Sequence, residues 1–186
     1  MRTYQRALLF ILAVSIGFIV YQNKPEPAEV FVIDFGNTQV IKPIREGFPK
    51  EAQRQMKCLA DNIYNEAGNQ GYYGMKAVAL VTMNRASSKY FPEDVCDVVY
   101  QKNRNVCQFS WVCQRKRVKV DPELYMLAEI ISRRVYLNYG TLKDITAGAL
   151  FFHADYVNPR WKYQRTVVIG NHIFYKRGDS NDDAKT

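Results

Sequence analysis

The sequence predicts a single α+β domain that is mostly helical and carries a small β-hairpin element near its C-terminus. The helices are predicted by apolar residues that recur every three or four positions around residues 59–86 and 124–135. The hairpin is predicted by two β-type runs that flank Gly170-Asn171. With 186 residues, 47% of them hydrophobic, the chain can bury one sizeable core.

Residues 1–21 have the order of an export signal. Arg2 and Arg6 precede an apolar run from Ala7 to Tyr21. As a helix this run would measure about 22 Å, which is shorter than the ~30 Å hydrocarbon core of a membrane. No small-residue cleavage motif follows the run, so we favour a signal anchor over a cleaved signal peptide. The chain is therefore expected to be exported, and to be anchored in the inner membrane or to be periplasmic or extracellular.

Residues 22–57 are interpreted as a linker. The segment NKPEPAE is rich in proline and charge, which is typical of a stiff linker. The segment VFVIDFGNTQVIKPI predicts a further β-hairpin around Gly36-Asn37. The main domain is expected to begin near Cys58 and to cover residues 58–177, followed by a polar tail over residues 178–186.

The first two helices of the domain flank a single acid and a glycine-rich turn. The apolar stripe of the first helix ends at Ala67, Gly68 is a suitable stop, and Glu66 lies at the edge of the stripe. After the turn GNQGYYG, apolar residues from Met75 to Ala86 predict a second helix whose methionines belong to the core.

A third helix has clear signals at both ends. Asp121 is a suitable N-cap, Pro122 suits the first helical position, and Gly140 is a suitable stop. Helices therefore dominate the middle of the chain.

Charge and cysteine content limit the possible partners and ligands. The formal charge of +8 and the pI of about 9.3 favour an anionic partner, but no nucleic-acid-binding motif accompanies them, so no nucleic acid is expected. Four cysteines, an even number, fit a disulfide-permissive compartment and allow three pairings: Cys58, Cys96, Cys107 and Cys113. Their spacing is not that of a zinc site, so neither a metal nor another cofactor is expected.

The position of Glu66 calls for a chemical explanation. Burial in apolar surroundings raises the pKa of a carboxylic acid and keeps it protonated near neutrality. Such an acid can protonate a leaving oxygen, as the general acid of glycosidic bond cleavage does. From spacing alone, a capping or solvated glutamate is the alternative. A serine or cysteine nucleophile has no support from a local motif, since the only histidines are His153 and His172.

Four segments in order closely resemble the cell wall hydrolase family, which includes the spore cortex-lytic enzymes and similar phage endolysins. They are IYNEAGNQGYYGMKAVALVTMNRASSKYFPEDVCDVVYQ, CQFSW, GALFFHADYVNPRWK and IGNHIFY. The resemblance covers roughly residues 58–175. It implies a lysozyme-like or lytic-transglycosylase-like domain that degrades peptidoglycan, with Glu66 as the catalytic acid.

The resemblance also implies which residues line the substrate groove. These are Gln108, Phe109, Trp111, Phe152, His153 and Trp161. Core packing is the alternative role for Phe109 and Phe152. Asn84 and Arg85, at the end of the second helix, are expected to support the structure rather than to contact substrate.

The number of carboxylates bears on the reaction. Hydrolysis by the usual routes uses a second Asp or Glu. No acid near Glu66 in sequence is an obvious partner, although Asp94, Asp97 and Asp155 remain open as partners in space. We therefore favour a lytic transglycosylase over a hydrolytic muramidase, with a non-catalytic wall-binding or assembly protein as a third reading.

The expected partners follow from the resemblance and from the N-terminus. They are the glycan strands of peptidoglycan, and a membrane that the N-terminal segment would bind. The domain is expected to act as a monomer. A small exported wall enzyme with such an N-terminal segment resembles phage endolysins of the signal-anchor type, which act in cell lysis.

Overall fold

The computed structural model describes residues 47–114 and 120–178. All of these residues belong to one compact unit. The predicted signal anchor, the hairpin around Gly36-Asn37 and residues 179–186 of the predicted tail lie outside the described residues. None of the helices in the described ranges is long and apolar enough to cross a membrane.

The described residues form helices and short antiparallel strands. In chain order the elements are α1 (Lys50–Ala67), α2 (Gly71–Ala86), α3 (Val95–Val99), β1 (Lys102–Asn103), β2 (Val106–Cys107), α4 (Ser110–Cys113), α5 (Pro122–Asn138), β3 (Phe151–Ala154), β4 (Gln164–Ile169) and β5 (His172–Lys176). β1 pairs with β2, and a three-stranded sheet has the order β3-β5-β4. The predicted α+β class, mostly helical with a hairpin near the C-terminus, is confirmed.

Three long helices enclose the main core. Buried side chains of α1, α2 and α5 form one large cluster, which includes Leu59, Ile63, Met75, Val78, Leu80, Ile131 and Val135. Met75 is fully buried and Met83 is 8% exposed, which confirms that these methionines are core residues. This core packs the C-terminal half of α1 against α2 and α5.

α1 begins at Lys50, before the expected start of the domain near Cys58. The stretch 50–57 is polar, so it carries no apolar periodicity that would reveal a helix. Its two buried residues are Met56, which is fully buried, and Gln55, which is only 6% exposed and whose Oε1 accepts a hydrogen bond from the Val95 N–H at 2.7 Å. The linker interpretation of residues 50–57 is therefore corrected.

α2 begins at Gly71, so the predicted turn GNQGYYG is only partly a turn. Gly68 caps α1 as expected, and only residues 68–70 connect the two helices. Gly71 has a φ of +65°, a backbone conformation that favours glycine because glycine has no Cβ. At Gly74 a Cβ would lie 2.3 Å from the Gln70 Cβ, so the helix approaches the turn too closely for a side chain.

The predicted boundaries of the third long helix agree with α5. The Asp121 carboxylate accepts hydrogen bonds from the N–H groups of Glu123 and Leu124 at 3.0 and 3.2 Å. Pro122 is the first helical residue, and the helix ends at Asn138, two residues before the predicted stop at Gly140.

The three-stranded sheet has two different faces. The inner face packs against α2, where Phe174 contacts Ala77 and Val81, with Phe152 beside them. Neighbouring residues of a strand point to opposite faces, so Phe151, His153 and Tyr175 lie on the outer face. In the predicted β4–β5 hairpin, the φ of Gly170 is +56° and the φ of Asn171 is not positive. A type II′ turn requires this combination at its two central residues.

Two disulfides select one of the three possible pairings. Cys58–Cys96 joins α1 to α3 across 38 residues of sequence. Cys107–Cys113, with a sequence separation of six, closes the loop that carries Gln108, Phe109 and Trp111.

Candidate active site

Glu66 lies in the last turn of α1, one residue before its end, with a partly buried side chain. Burial raises the pKa of Glu66 from 4.5 to about 7. Within the described residues, no hydrogen bond or ion pair reaches its carboxyl group. Near neutrality the side chain is therefore divided between the protonated and the ionised form.

Arg85, at the end of α2, supplies the positive charge that acts on Glu66. Its side chain is only 3% exposed, and its Nε–H donates a hydrogen bond to the Leu150 carbonyl at 2.7 Å. Its Nη1 is buried without a hydrogen-bond partner. Burial lowers the pKa of Arg85 to about 10, so the guanidinium is charged at pH 7. That charge lowers the pKa of Glu66 and partly offsets the effect of burial.

Aromatic rings surround the Arg85 guanidinium. Its central carbon lies 5.0 Å from the centre of the Phe109 ring, 5.2 Å from that of Phe91 and 6.0 Å from that of Phe151. Arg85 therefore supports the structure, as expected, and also acts on the candidate acid, which the expectation missed. No local sequence signal links two residues that are 19 positions apart.

Asn62 joins three elements at a point one turn before Glu66. It is fully buried. Its Nδ2 donates a hydrogen bond to Thr82 Oγ1 at 3.0 Å, which joins α1 to α2. Its Oδ1 accepts a hydrogen bond from Trp111 Nε1 at 3.0 Å, which fixes the indole. Sequence reasoning missed Asn62, although Asn62 and Glu66 share one face of α1 at i and i+4.

The loop between Cys107 and Cys113 carries three of the expected groove residues in different environments. Gln108 is exposed, and Trp111 is half-buried and held by Asn62. Phe109 is only 3% exposed and packs between Arg85 and Phe152, with 6.4 Å between the two phenylalanine ring centres. Gln108 and Trp111 can therefore face a ligand, whereas Phe109 supports the site from behind.

The other three expected groove residues lie on two faces of the sheet. Phe152 is on the inner face, with its ring centre 4.9 Å from that of His172. His153 is on the outer face, where its Nε2 lies 2.9 Å from the Tyr175 hydroxyl. Trp161 contacts His153 at 5.4 Å between ring centres. Phe152 therefore cannot share one groove wall with His153 and Trp161.

The tip of the β4–β5 hairpin contacts the turn that follows Glu66. The Asn171 N–H donates a hydrogen bond to Gln70 Oε1 at 2.8 Å. A Cβ at Gly170 would lie 2.6 Å from the same oxygen, and the φ of +56° at this position favours glycine as well. The Asp155 N–H donates to the Asn171 carbonyl at 2.8 Å, which joins the end of β3 to the tip. These contacts, which sequence reasoning missed, bring the sheet beside the end of α1.

Two of the carboxylates considered as partners of Glu66 lie elsewhere. Asp94 caps α3 and accepts a hydrogen bond from Gln55. Gln55 is three turns, about 16 Å, before Glu66 along α1. Asp97 is exposed in the same short helix, beside Cys96, which the disulfide ties to Cys58.

Asp155 is nearer to the end of α1, through the hairpin tip. Burial and the charge of Arg85 set the pKa of Glu66, and no described carboxylate raises it further. Carboxylates in a glycosidase pair are about 5–9.5 Å apart. A second carboxylate at the short end of that range would raise the pKa of Glu66 by charge repulsion.

The described residues hold no group of three or more His, Cys, Asp or Glu side chains that could bind a metal ion.

Comparison with known proteins gives the family. Residues 69–175 match the family model for cell wall hydrolases. The chain belongs to the cell wall hydrolase family. The predicted family is thereby confirmed, although the matched range begins three residues after Glu66.

Relatives of this cell wall hydrolase include spore cortex-lytic enzymes. That of Halalkalibacterium halodurans is 29% identical over 126 residues, which are 66% of this chain and 35% of the relative. That of Bacillus subtilis is 29% identical over 126 residues, which are 38% of its length. The chain thus spans about a third to a half of the length of these relatives.

Two solved structures have a similar fold. The catalytic domain of the germination-specific lytic transglycosylase SleB from Bacillus anthracis has a TM-score of 0.50 and 25% identity, over 70% of this chain and 98% of that one. The catalytic domain of Bacillus cereus SleB has a TM-score of 0.51 and 23% identity, over 70% of this chain and 94% of that one. The expected lytic-transglycosylase-like fold is confirmed.

Proposed function

We propose that this cell wall hydrolase is a lytic transglycosylase that cleaves the β-1,4 bond between N-acetylmuramic acid and N-acetylglucosamine in peptidoglycan. The observation that carries the proposal is Glu66, an acid whose pKa of about 7 is set by burial and by Arg85 without a carboxylate partner. The SleB domain from Bacillus anthracis, which has the same fold, is itself a lytic transglycosylase.

In the proposed reaction Glu66 acts twice. Its carboxyl proton passes to the glycosidic oxygen as the bond from that oxygen to C1 of the muramic acid breaks. The resulting carboxylate then takes the proton of the 6-hydroxyl of the same sugar while that oxygen bonds to C1. The products are a 1,6-anhydro-muramic acid end and a free 4-hydroxyl, and no water is consumed.

Arg85 fits both steps of this cycle. A base that must give and regain a proton near neutrality needs a pKa close to the working pH. Burial alone would push the pKa of Glu66 higher, and the buried guanidinium opposes that rise. Glu66 is therefore able to donate its proton and to exist as a carboxylate afterwards.

We propose that Gln108 and Trp111 contact the glycan beside Glu66, since both side chains are accessible. Trp111 is held in place by Asn62, so its indole has one orientation in which to receive a sugar ring. Phe109 and Phe152 are assigned to supporting Arg85 and the sheet. His153 and Trp161 contact each other on the outer face of the sheet.

Product analysis tests the proposal. The full chain and its Glu66→Gln variant are incubated with purified peptidoglycan, and the soluble muropeptides are measured by mass spectrometry. A lytic transglycosylase gives fragments lighter by one water than hydrolysis products, and only with the unaltered chain. Fragments with reducing muramic acid ends would instead identify a hydrolytic muramidase, and the absence of fragments from either protein would favour a wall-binding protein.

We also propose that Ala7 to Tyr21 is the anchor of an endolysin of the signal-anchor type, because the run is apolar but short for a stable span. Fractionation of expressing cells is expected to find the full-length chain in the inner membrane before lysis. A mature protein already trimmed of residues 1–21 in growing cells would contradict the anchor.

A further inference from the structure

The two disulfides differ in their access to solvent. Cys58 is 8% exposed and Cys96 is 4% exposed, so their bond is shielded on both sides. Cys107 is 9% exposed, but its partner Cys113 is an exposed residue at the end of α4. Thiol–disulfide exchange begins when a thiolate attacks one sulfur of the bond, so its rate depends on access to that sulfur. A dissolved thiol can therefore attack the second disulfide through Cys113, whereas the first disulfide is protected.

The accessible disulfide closes a loop whose own elements are too short to hold it. β1 and β2 have two residues each, and α4 has four. A two-stranded hairpin and a helix of one turn are both unstable in water without further contacts. The bond from Cys107 in β2 to Cys113 in α4 fastens these two elements to each other. The order of the loop is therefore expected to depend on that covalent link.

The same loop contacts the two helices that carry the candidate site. Phe109 is buried, and its ring centre lies 5.0 Å from the guanidinium carbon of Arg85 in α2. Trp111 donates a hydrogen bond from its Nε1 to Asn62 in α1. Both aromatic residues lie inside the loop that the disulfide closes, so release of the loop would loosen both contacts together. An accessible covalent bond is thus connected directly to the surroundings of the candidate acid.

We propose that the Cys107–Cys113 disulfide is a thiol-exchange site, through which a dithiol reductant releases the loop and lowers the activity of the enzyme. A thiolate of the dithiol bonds to Cys113 Sγ, the bond between the two cysteines breaks, and Cys107 leaves as a thiolate that takes up a proton. The second thiol of the reductant then attacks the mixed disulfide and releases Cys113 as a thiol. Two electrons and two protons pass to the protein, and the dithiol becomes a disulfide. Only the role of the loop in cleavage rests on the proposed function.

The state of this disulfide would follow the compartment of the chain. Dithiol reductants keep cysteines as thiols in the cytosol, whereas disulfides form and persist after export. The loop is therefore expected to be released before export and closed after it. Reduction outside the cytosol would return the enzyme to its less active form, while the shielded Cys58–Cys96 bond keeps α1 joined to α3.

Chemical labelling tests the exchange site itself. The full chain is treated with dithiothreitol, a dithiol, without denaturant, and free thiols are then alkylated with iodoacetamide and located by mass spectrometry. Label is expected on Cys107 and Cys113 about tenfold faster, or more, than on Cys58 and Cys96. Equal rates for the two pairs, or a Cys107–Cys113 bond that stays intact, would overturn the proposal. This readout does not depend on the reaction that the enzyme catalyses.

Wall digestion tests the effect on activity. Soluble fragments released from purified peptidoglycan are measured before reduction, after it and after reoxidation, whatever the chemistry of their ends. Reduction is expected to lower the release about tenfold, and reoxidation is expected to restore it. Cys107→Ser with Cys113→Ser should match the reduced chain and should no longer respond to the dithiol. The matched control, Cys58→Ser with Cys96→Ser, removes the shielded bond and should respond as the unaltered chain does.

The activity test has its own contradicting outcomes. Full activity of the double serine variant at positions 107 and 113, or a loss on reduction that reoxidation does not reverse, would overturn the proposal. A response to the dithiol that persists in this variant would do the same, because it would come from the shielded bond. Labelling and reoxidation both use the unaltered chain, so the proposal stays testable if the control pair does not fold.

Tryptophan fluorescence separates the exchange site from the proposed function. The chain has two tryptophans, so Trp161→Phe leaves Trp111 as the one indole. Reduction is expected to change the emission of Trp111, because the released loop loses the bond to Asn62. A chain that is inactive in both redox states but shows this change would contradict the proposed function and still support the exchange site. Unchanged emission after complete reduction would overturn the release of the loop.

Discussion

Replacing Glu66 by glutamine is expected to lower kcat/KM on peptidoglycan about a thousandfold, because the amide cannot donate a proton to the glycosidic oxygen. The change conserves the volume of the side chain, so the glycan should still bind. The matched control is Glu93→Gln, which makes the same chemical change at an exposed acid. A Glu66→Gln enzyme with more than about a tenth of normal activity would require another general acid.

The same residue sets a pH dependence. Glu66 must be protonated to act, and with a pKa of about 7 the kcat/KM of the unaltered enzyme is expected to be constant below pH 7 and to fall tenfold per unit above it. An ordinary glutamate would lose its proton near pH 4.5. A fall that begins near pH 4.5 would therefore contradict the burial of Glu66.

Stability is linked to that titration. In the folded state Glu66 keeps its proton up to about pH 7, whereas in the unfolded state Glu66 releases it near pH 4.5. The stability of the unaltered chain therefore declines as the pH rises between these two values. Glutamine has no such proton to lose. Glu66→Gln is therefore expected to be more stable than the unaltered chain at pH 8, by about 3 kcal/mol, and equally stable at pH 4.

Replacing Arg85 by methionine is expected to move the alkaline fall of kcat/KM upward by about one pH unit, because the positive charge that lowers the pKa of Glu66 is lost. The kcat is expected to fall about tenfold, since the carboxylate formed after proton donation loses its compensating charge. Arg85→Lys keeps the charge and should keep the fall near pH 7.

The comparison of the two Arg85 variants separates charge from structure. Both lose the bond from Nε to the Leu150 carbonyl and the planar contacts with Phe109 and Phe91, so both are expected to unfold at lower temperature. Only the methionine variant should shift the pH profile. Identical pH profiles for both variants would mean that the charge of Arg85 does not act on Glu66.

The features that were predictable from sequence are those set by local rules. Apolar periodicity predicted α2, the pair Asp121-Pro122 predicted the start of α5, and Gly170-Asn171 predicted the hairpin. Each depends on residues within one turn or two paired strands. The first turns of α1 were missed because their buried residues are one apolar side chain, Met56, and the polar Gln55, which together give no apolar periodicity.

The candidate site was only partly predictable for the same reason. Glu66 stands out in the sequence, but its pKa depends on Arg85, and their approach depends on how α1 crosses α2, which the bond between Asn62 and Thr82 fixes. Such contacts between distant positions have no local pattern. The placement of Phe152 and His153 on opposite faces of the sheet, in contrast, follows from strand alternation.

The Cys107–Cys113 disulfide has a consequence for the entropy of substrate binding. A loop that is free before it binds a ligand must lose conformational entropy when it does, and that loss weakens affinity. Here the covalent link and the bond from Trp111 to Asn62 order the loop during folding. On the proposed role of Gln108 and Trp111, little of the binding free energy for a glycan would be spent on ordering their loop.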